Sequence, residues 1–292
     1  MSTPIATEYS TDTIKGMYNQ FHAMLGSRMP YEYQPKTTLN YKYNCFPAEI
    51  GNGGTYSNVP NGTPAIAYFG VGIRGFYNIT ADDEISPLSQ PYRPKATELD
   101  LYHPIPIRCI PEAYDLTDSE RAKYRLRTKV TIDGKTYVCY WLKALEFGDK
   151  INIIQIDGTG AETDYDTNSN IETNLTPTPS APTTPDVVTG SSKVVIAAEV
   201  ICEISGEEIL EAINVMYHGD LRRAKISEWG IYSGGDATAQ FTDNNGTVHD
   251  YTEALYVQLA AKRCTTGVDL SNSASVQREI LTIQNGNLLL LD

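Results

Sequence analysis

The chain has 292 residues, a hydrophobic content of 41% and a net charge of −13, enough apolar material for two domains or one large β-rich domain with an insertion. Residues 1–150 hold 16 basic and 16 acidic side chains of the chain's 23 and 36, which leaves 7 and 20 for residues 151–292. An acidic half argues against nucleic-acid phosphate as a partner, because such binding needs basic side chains to displace counterions, and no apolar run reaches membrane-spanning length.

In chain order, Met1 leads into polar Ser2-Thr3-Pro4 with no signal-peptide pattern, so synthesis in a cytoplasm is expected. Ile14, Met17, Tyr18, Phe21, Met24 and Leu25 follow helical spacing and predict a helix over Thr13–Leu25, with Gly26 to end it. Tyr31, Tyr33, Tyr41 and Tyr43 alternate with polar residues as a half-buried strand does, and Asn52-Gly53-Gly54 and Asn61-Gly62 read as turns. Gly70-Val71-Gly72-Ile73-Arg74-Gly75 matches the dinucleotide-binding spacing, yet β-branched and aromatic residues follow where that site needs a helix N-terminus. A glycine-rich strand or turn is the expectation there.

Tyr124–Ile132 and Lys135–Ala144 flank Asp133-Gly134, a pair suited to a two-residue type I′ turn, and predict a hairpin with Leu126 opposite Trp141 and Val130 opposite Tyr137. Lys123, Arg125, Arg127 and Lys129 recur at period two. They read either as a solvated strand face or as a basic docking stripe for an acidic surface, such as the acidic half of a neighbouring copy.

From Asp157 to Ser192 there is no Lys or Arg, and the stretch is rich in Thr, Asn, Asp and Pro, which predicts a long loop or linker and a domain break. The expected division is 1–156, a helix plus a β-rich domain; 157–192, the linker; and 193–292, an α+β domain. Within the linker, Asp164, Asp166, Asn168, Asn170 and Glu172 offer oxygen ligands at alternate positions, but Ser169 and Leu175 stand where a calcium loop needs Gly and Glu. Beyond it come a strand over Lys193–Ile204, a capping box at Ser205-Gly206-Glu207-Glu208 opening a helix that Gly219 ends, and strands over Ala224–Tyr232 and Tyr251–Arg263. The expected last element is a hairpin, Glu279–Gln284 and Asn287–Leu291 around Asn285-Gly286, whose leucines form a sticky edge.

The fold class expected is α+β, mostly β, with antiparallel, sandwich-like sheets and a few short helices. Cys45, Cys109, Cys139, Cys202 and Cys264 are scattered and read as buried free thiols, and the four histidines show no metal-ligand spacing. Ser233 is one residue out of register for a nucleophile elbow. No enzyme, cofactor or metal is therefore expected. What stands out instead is 20 Tyr against 6 Phe, a residue choice that suits surfaces half buried or closed in an assembly.

Two stretches carry a resemblance. Leu101–Leu145 runs Tyr102-His103-Pro104-Ile105-Pro106-Ile107-Arg108, then Asp115-Leu116, Glu120-Arg121 and Tyr124-Arg125-Leu126-Arg127, and ends in Tyr137-Val138-Cys139-Tyr140-Trp141-Leu142-Lys143. The second is Ile226-Ser227-Glu228-Trp229-Gly230-Ile231-Tyr232-Ser233-Gly234. Together they resemble baseplate-wedge structural proteins of contractile-tailed bacteriophages. The resemblance implies a β-rich, non-enzymatic virion protein that contacts copies of itself and other tail proteins. In this sequence the pattern of residues puts the expected contacts at Lys123, Arg125, Arg127, Lys129, Trp229, Tyr232, Leu288 and Leu290. A neck or portal-adjacent connector, and a carbohydrate- or receptor-binding module with stacking tyrosines, are the alternatives.

Overall fold

The structure, a computed structural model, describes residues 8–24, 57–58, 64–79, 88–157, 159–164, 193–243 and 245–288. The described chain is mostly β, built of antiparallel sheets with a few short helices, in line with its sequence. Among the described residues no helix is long and apolar enough to cross a membrane.

The chain divides into two compact units, but not at the linker. One combines Met1–Leu145 with Glu203–Gln277, and the other combines Glu146–Cys202 with Arg278–Asp292. The division 1–156, 157–192 and 193–292 fails because strands from the two sequence halves pair with each other. Ladder hydrogen bonds and a shared core, rather than the composition of a connecting stretch, decide which segments belong together.

In the first unit, β1 (Glu8–Asp12), β2 (Ala65–Gly72), β5 (Pro104–Ile105), β6 (Arg108–Pro111), β7 (Tyr124–Ile132), β8 (Lys135–Ala144), β12 (Lys225–Thr242) and β13 (Val248–Asp269) form one eight-stranded sheet. Its order is β1-β13-β12-β2-β8-β6, with β5 on β2 and β7 on β8. A separate hairpin joins β3 (Phe76–Ile79) to β4 (Leu88–Pro91). The β7–β8 hairpin is the one expected. Val130 pairs with Tyr137, and Asp133 (φ 52°) and Gly134 (φ 75°) both adopt the left-handed conformation that a type I′ turn requires.

The strand expected over Tyr251–Arg263 forms part of β13. Glu253 to Ala260 are buried without interruption, because both faces of the strand are covered. One face joins the core of Tyr68, Leu126, Trp141, Leu142, Tyr232, Val257 and Leu259. Helix α1 (Ile14–Met24) lies beside the strand: the Thr13 N–H donates to Ala260 O at 2.8 Å, and Asn19 Nδ2 donates to Ser233 Oγ at 2.9 Å and Gln258 Oε1 at 3.0 Å. Gly16 permits this approach, since a Cβ there would lie 2.3 Å from Ala260 O.

Helix α2 (Gly206–Met216) begins at the expected capping box, with the Ser205 N–H donating to Glu208 Oε2 at 2.7 Å and the Glu208 N–H to Ser205 Oγ at 3.2 Å. Such a cap contributes about 1 kcal/mol. Arg108 donates to both Glu211 carboxylate oxygens at 2.6 and 2.8 Å, tying the helix to β6.

The second unit is a four-stranded antiparallel sheet in the order β10 (Glu162–Asp164), β9 (Glu146–Ile156), β11 (Lys193–Ser205), β14 (Val276–Leu288). The expected hairpin about Asn285-Gly286 is not formed, because β14 continues as one strand through those residues. β10 and Asp157 lie inside the stretch read as a loop, and residues 165–192 lie outside the described residues. The alternating tyrosines at 31–43 and the Asn-Gly turns at 52–54 and 61–62 also lie outside them.

Candidate contact surface and its buried anchors

The basic stripe does not present itself to solvent as one face. Lys123 is exposed, but Arg125 is buried and grips Asp236 of the same chain, Nε and Nη2 donating to its two oxygens at 2.8 and 2.9 Å. Asp236 is held below the usual carboxylate range by that guanidinium and by the Tyr68 hydroxyl, which donates to it at 2.6 Å, against the opposing effect of burial. Arg127 donates to Asp115 Oδ2 at 2.7 Å and lies 4.2 Å from the centre of the Phe241 ring, and Lys129 pairs with Glu112. An acidic surface does meet the stripe, but its own chain supplies it.

The period-two reading also breaks at Leu126, which has φ 53° and is fully buried. Its N–H donates to Glu253 Oε1 at 2.6 Å and that of Arg127 donates to Glu253 Oε2 at 2.9 Å. The Ala254 N–H adds a third bond at 2.7 Å. A side chain of β13 thus satisfies two backbone donors of β7. Burial pushes the Glu253 carboxyl up to about 7, against the lowering effect of these donors.

Trp229 and Tyr232, expected at a contact surface, are instead buried inside the first unit, where the core needs their bulk. The stretch containing them is an anchor instead. Ser227 Oγ accepts from the Gly75 N–H at 2.8 Å, and fully buried Glu228 accepts from the N–H groups of Tyr102 (2.6 Å), His103 (2.9 Å) and Arg74 (3.3 Å). Tyr232 donates its hydroxyl to Asp100 at 3.2 Å. The glycine run next to this anchor has a steric reason. A Cβ on Gly72 would lie 2.5 Å from Glu228 Oε2, and one on Gly75 would lie 2.0 Å from Ser227 O. Residues after it form β3, so the run is the glycine-rich strand and turn expected.

These anchors fix a cluster of exposed rings. Tyr77 pairs with Gln90 in the β3–β4 hairpin, and the Tyr92 N–H donates to Gly75 O at 2.8 Å. Ring centres of Tyr77 and Tyr92 lie 5.1 Å apart, and those of Tyr92 and Tyr102 lie 5.4 Å apart in an edge-to-face contact. The three side chains are 39%, 37% and 40% exposed. The Tyr77 hydroxyl donates to Gln90 Oε1 and that of Tyr102 to Glu98 Oε1, each at 2.8 Å. Rings held from below and open above form a rigid amphipathic patch of the kind that anchors interfaces.

None of these three tyrosines was singled out by sequence spacing. The available signal was the charged residue inside an apolar strand, Glu228 among Ile226, Trp229 and Ile231, which marks a buried anchor and hence the segment it holds. Leu288 ends β14, and Leu290 lies outside the described residues. Of the oxygen-ligand run only Asp164 is described, at the end of β10. Among the described residues no three His, Cys, Asp or Glu are grouped to hold a metal ion. Cys109, Cys139, Cys202 and Cys264 are buried, and Cys45 lies outside the described residues.

No curated protein and no solved structure matches the chain. A sequence profile does match it, over residues 1–280, and the chain accordingly belongs to that family, DUF7208, described as a family of unknown function.

Proposed function

We propose that the protein is a non-enzymatic structural adaptor of a bacteriophage tail, of baseplate-wedge type, that contacts copies of itself and neighbouring tail proteins. The observation that carries this reading is the cluster of partly exposed Tyr77, Tyr92 and Tyr102 rings, with the Tyr92 backbone bonded to Gly75 and that of Tyr102 to Glu228. Aromatic groups ordered in advance lose little rotamer freedom on association, which makes them effective interface anchors. The resemblance of Leu101–Leu145 and Ile226–Gly234 to wedge proteins supplies the virion context, and Tyr102 falls within the first of these stretches.

The test is the composition of tailed particles purified from cells that carry the gene. The chain is expected in the particles, with immunogold label on the tail, and a Tyr77→Ser/Tyr92→Ser variant that keeps its circular dichroism is expected to drop out of them. Particles that form normally without the chain would remove this function. A second reading, a saccharide-binding module, draws on the same rings, because Gln90 and Glu98 place polar groups beside stacking faces. Glycan-array binding by the isolated chain that the same double variant abolishes would favour it.

A further inference from the structure

We propose that Lys262 and Glu98 are joined by an intramolecular amide bond, formed by the chain itself with Glu228 as the proton carrier. Lys262 lies on β13 with a fully buried side chain. Its Nζ is 3.0 Å from Glu98 Oε2, 3.4 Å from Glu228 Oε1 and 3.3 Å from Asp100 O. The Tyr102 ring closes over it, with the ring centre 3.1 Å from Nζ. Three oxygens thus match the three donors of the buried ammonium.

The other partners match what amide formation requires. Glu98 Oε1 accepts from the Tyr102 hydroxyl at 2.8 Å and from the Lys95 N–H at 3.2 Å, so two donors converge on the oxygen that gains charge when an amine attacks the carboxyl carbon. Burial and the adjacent Glu98 carboxylate raise the Tyr102 hydroxyl above its ordinary pKa and keep it a donor. Glu98 Oε2, on the amine, is then the oxygen that leaves. Glu228 Oε1 also lies within reach of Nζ, and its carboxylate is held by three backbone N–H groups.

The step balances without any co-reactant. One ammonium proton passes to Glu98 Oε2 along the 3.0 Å contact, which gives a neutral amine beside a carboxylic acid. Nζ attacks Cδ, and Oε1 carries the transient negative charge. A second proton leaves Nζ for Glu228 Oε1 and is returned to the departing hydroxyl, which is released as water. Glu228 ends as it began, and the products are one secondary amide and one water. Two arguments favour the product: the amide removes the charge of the fully buried Lys262 ammonium together with its desolvation cost, and the 3.0 Å contact holds amine and carboxyl at high effective concentration. The bond would staple the segment carrying Tyr92 and Tyr102 to β13.

The proposal is independent of the tail assignment, because its test reads mass and not assembly. The full chain, purified and fully denatured, is expected to weigh one water less than its sequence mass, and a protease digest is expected to contain one branched peptide joining the Glu98 and Lys262 segments. Glu98→Gln is expected to lose ammonia in place of water. Lys262→Arg and Glu228→Gln, both checked for native circular dichroism, are expected to keep their full sequence mass. A wild-type chain at full sequence mass, both fresh and after prolonged incubation, overturns the proposal, as does a water loss that survives Lys262→Arg. A branched peptide that forms unchanged in Glu228→Gln overturns the role given to Glu228.

Discussion

The N–H of Leu126 donates to Glu253 Oε1 at 2.6 Å, so a carboxylate on β13 does for β7 what a neighbouring strand would otherwise do. The positive φ at Leu126 turns two consecutive N–H groups toward one anion, a small backbone nest. Glu253→Ala would leave the donors of Leu126, Arg127 and Ala254 without their acceptor in a buried site. At about 1–3 kcal/mol for each unsatisfied group, a loss of roughly 3 kcal/mol or more is expected. Urea unfolding gives the total. Amide hydrogen exchange localises it, with protection falling first at Leu126 and Arg127.

The same residue gives stability a pH dependence of unusual sign for a carboxylate. Glu253 ionises near 4.5 when unfolded and near 7 when folded. Its favourable contribution is complete below 4.5, where both states are protonated, and is lost as pH rises through about 7, where the folded state must hold a buried charge. The swing is roughly 3 kcal/mol. Asp236, whose carboxyl is lowered in the folded state, acts in the opposite sense and loses its contribution as pH falls through its folded value. The difference in unfolding free energy between wild type and Glu253→Gln isolates the first effect and is expected to decline from pH 4.5 to about 7 and to level off above it.

Removing Asp236 tests whether the basic stripe belongs to the interior. Asp236→Ala strands the buried Arg125 guanidinium, and with half of the Asp236 side chain in solvent a cost of about 2 kcal/mol is expected. Lys129→Ala, which breaks the solvent-exposed pair with Glu112, is expected to cost less than about 1 kcal/mol. Thermal midpoints of the two variants rank them. Equal small shifts would return the stripe to the surface.

Thiol chemistry reports on the same core. Burial pushes the Cys264 thiol up to about 12, and a hydrogen bond to the Cys139 thiol, together with burial, raises Cys109, which faces it across β6 and β8. None of the three is expected to react with a disulfide reagent at pH 8 in the folded chain, and all three are expected to react in denaturant. Fast labelling of Cys264 without unfolding would contradict the packing of β13.

Local signals in the chain were legible where they were strong. Asp133-Gly134, the Ser205–Glu208 box and the helical spacing from Ile14 each produced the expected element within a residue or two. Long-range pairing was not legible, because nothing local says that β12 lies against β2 or that β1 reaches β13. The contact residues were misplaced for the same reason. Period two at Arg125 and Arg127 describes an ideal strand, whereas the conformation of Leu126 and the acidic partners Asp236 and Asp115 come from tertiary context. Trp229 and Tyr232 pack in the core, and a sequence pattern does not separate that role from one at a surface.

β1 pairs Glu8 with Thr265 and Asp12 with Ala261, so it meets its partner only after β2 to β12 have been made. Local helices and the β7–β8 hairpin can form early, but the large sheet must wait for its two longest strands. Loop closure over such spans is slow. Until β13 is made, residues 8–12 lack their partner strand, and a shortened chain ending before β13 should expose that edge and aggregate rather than fold.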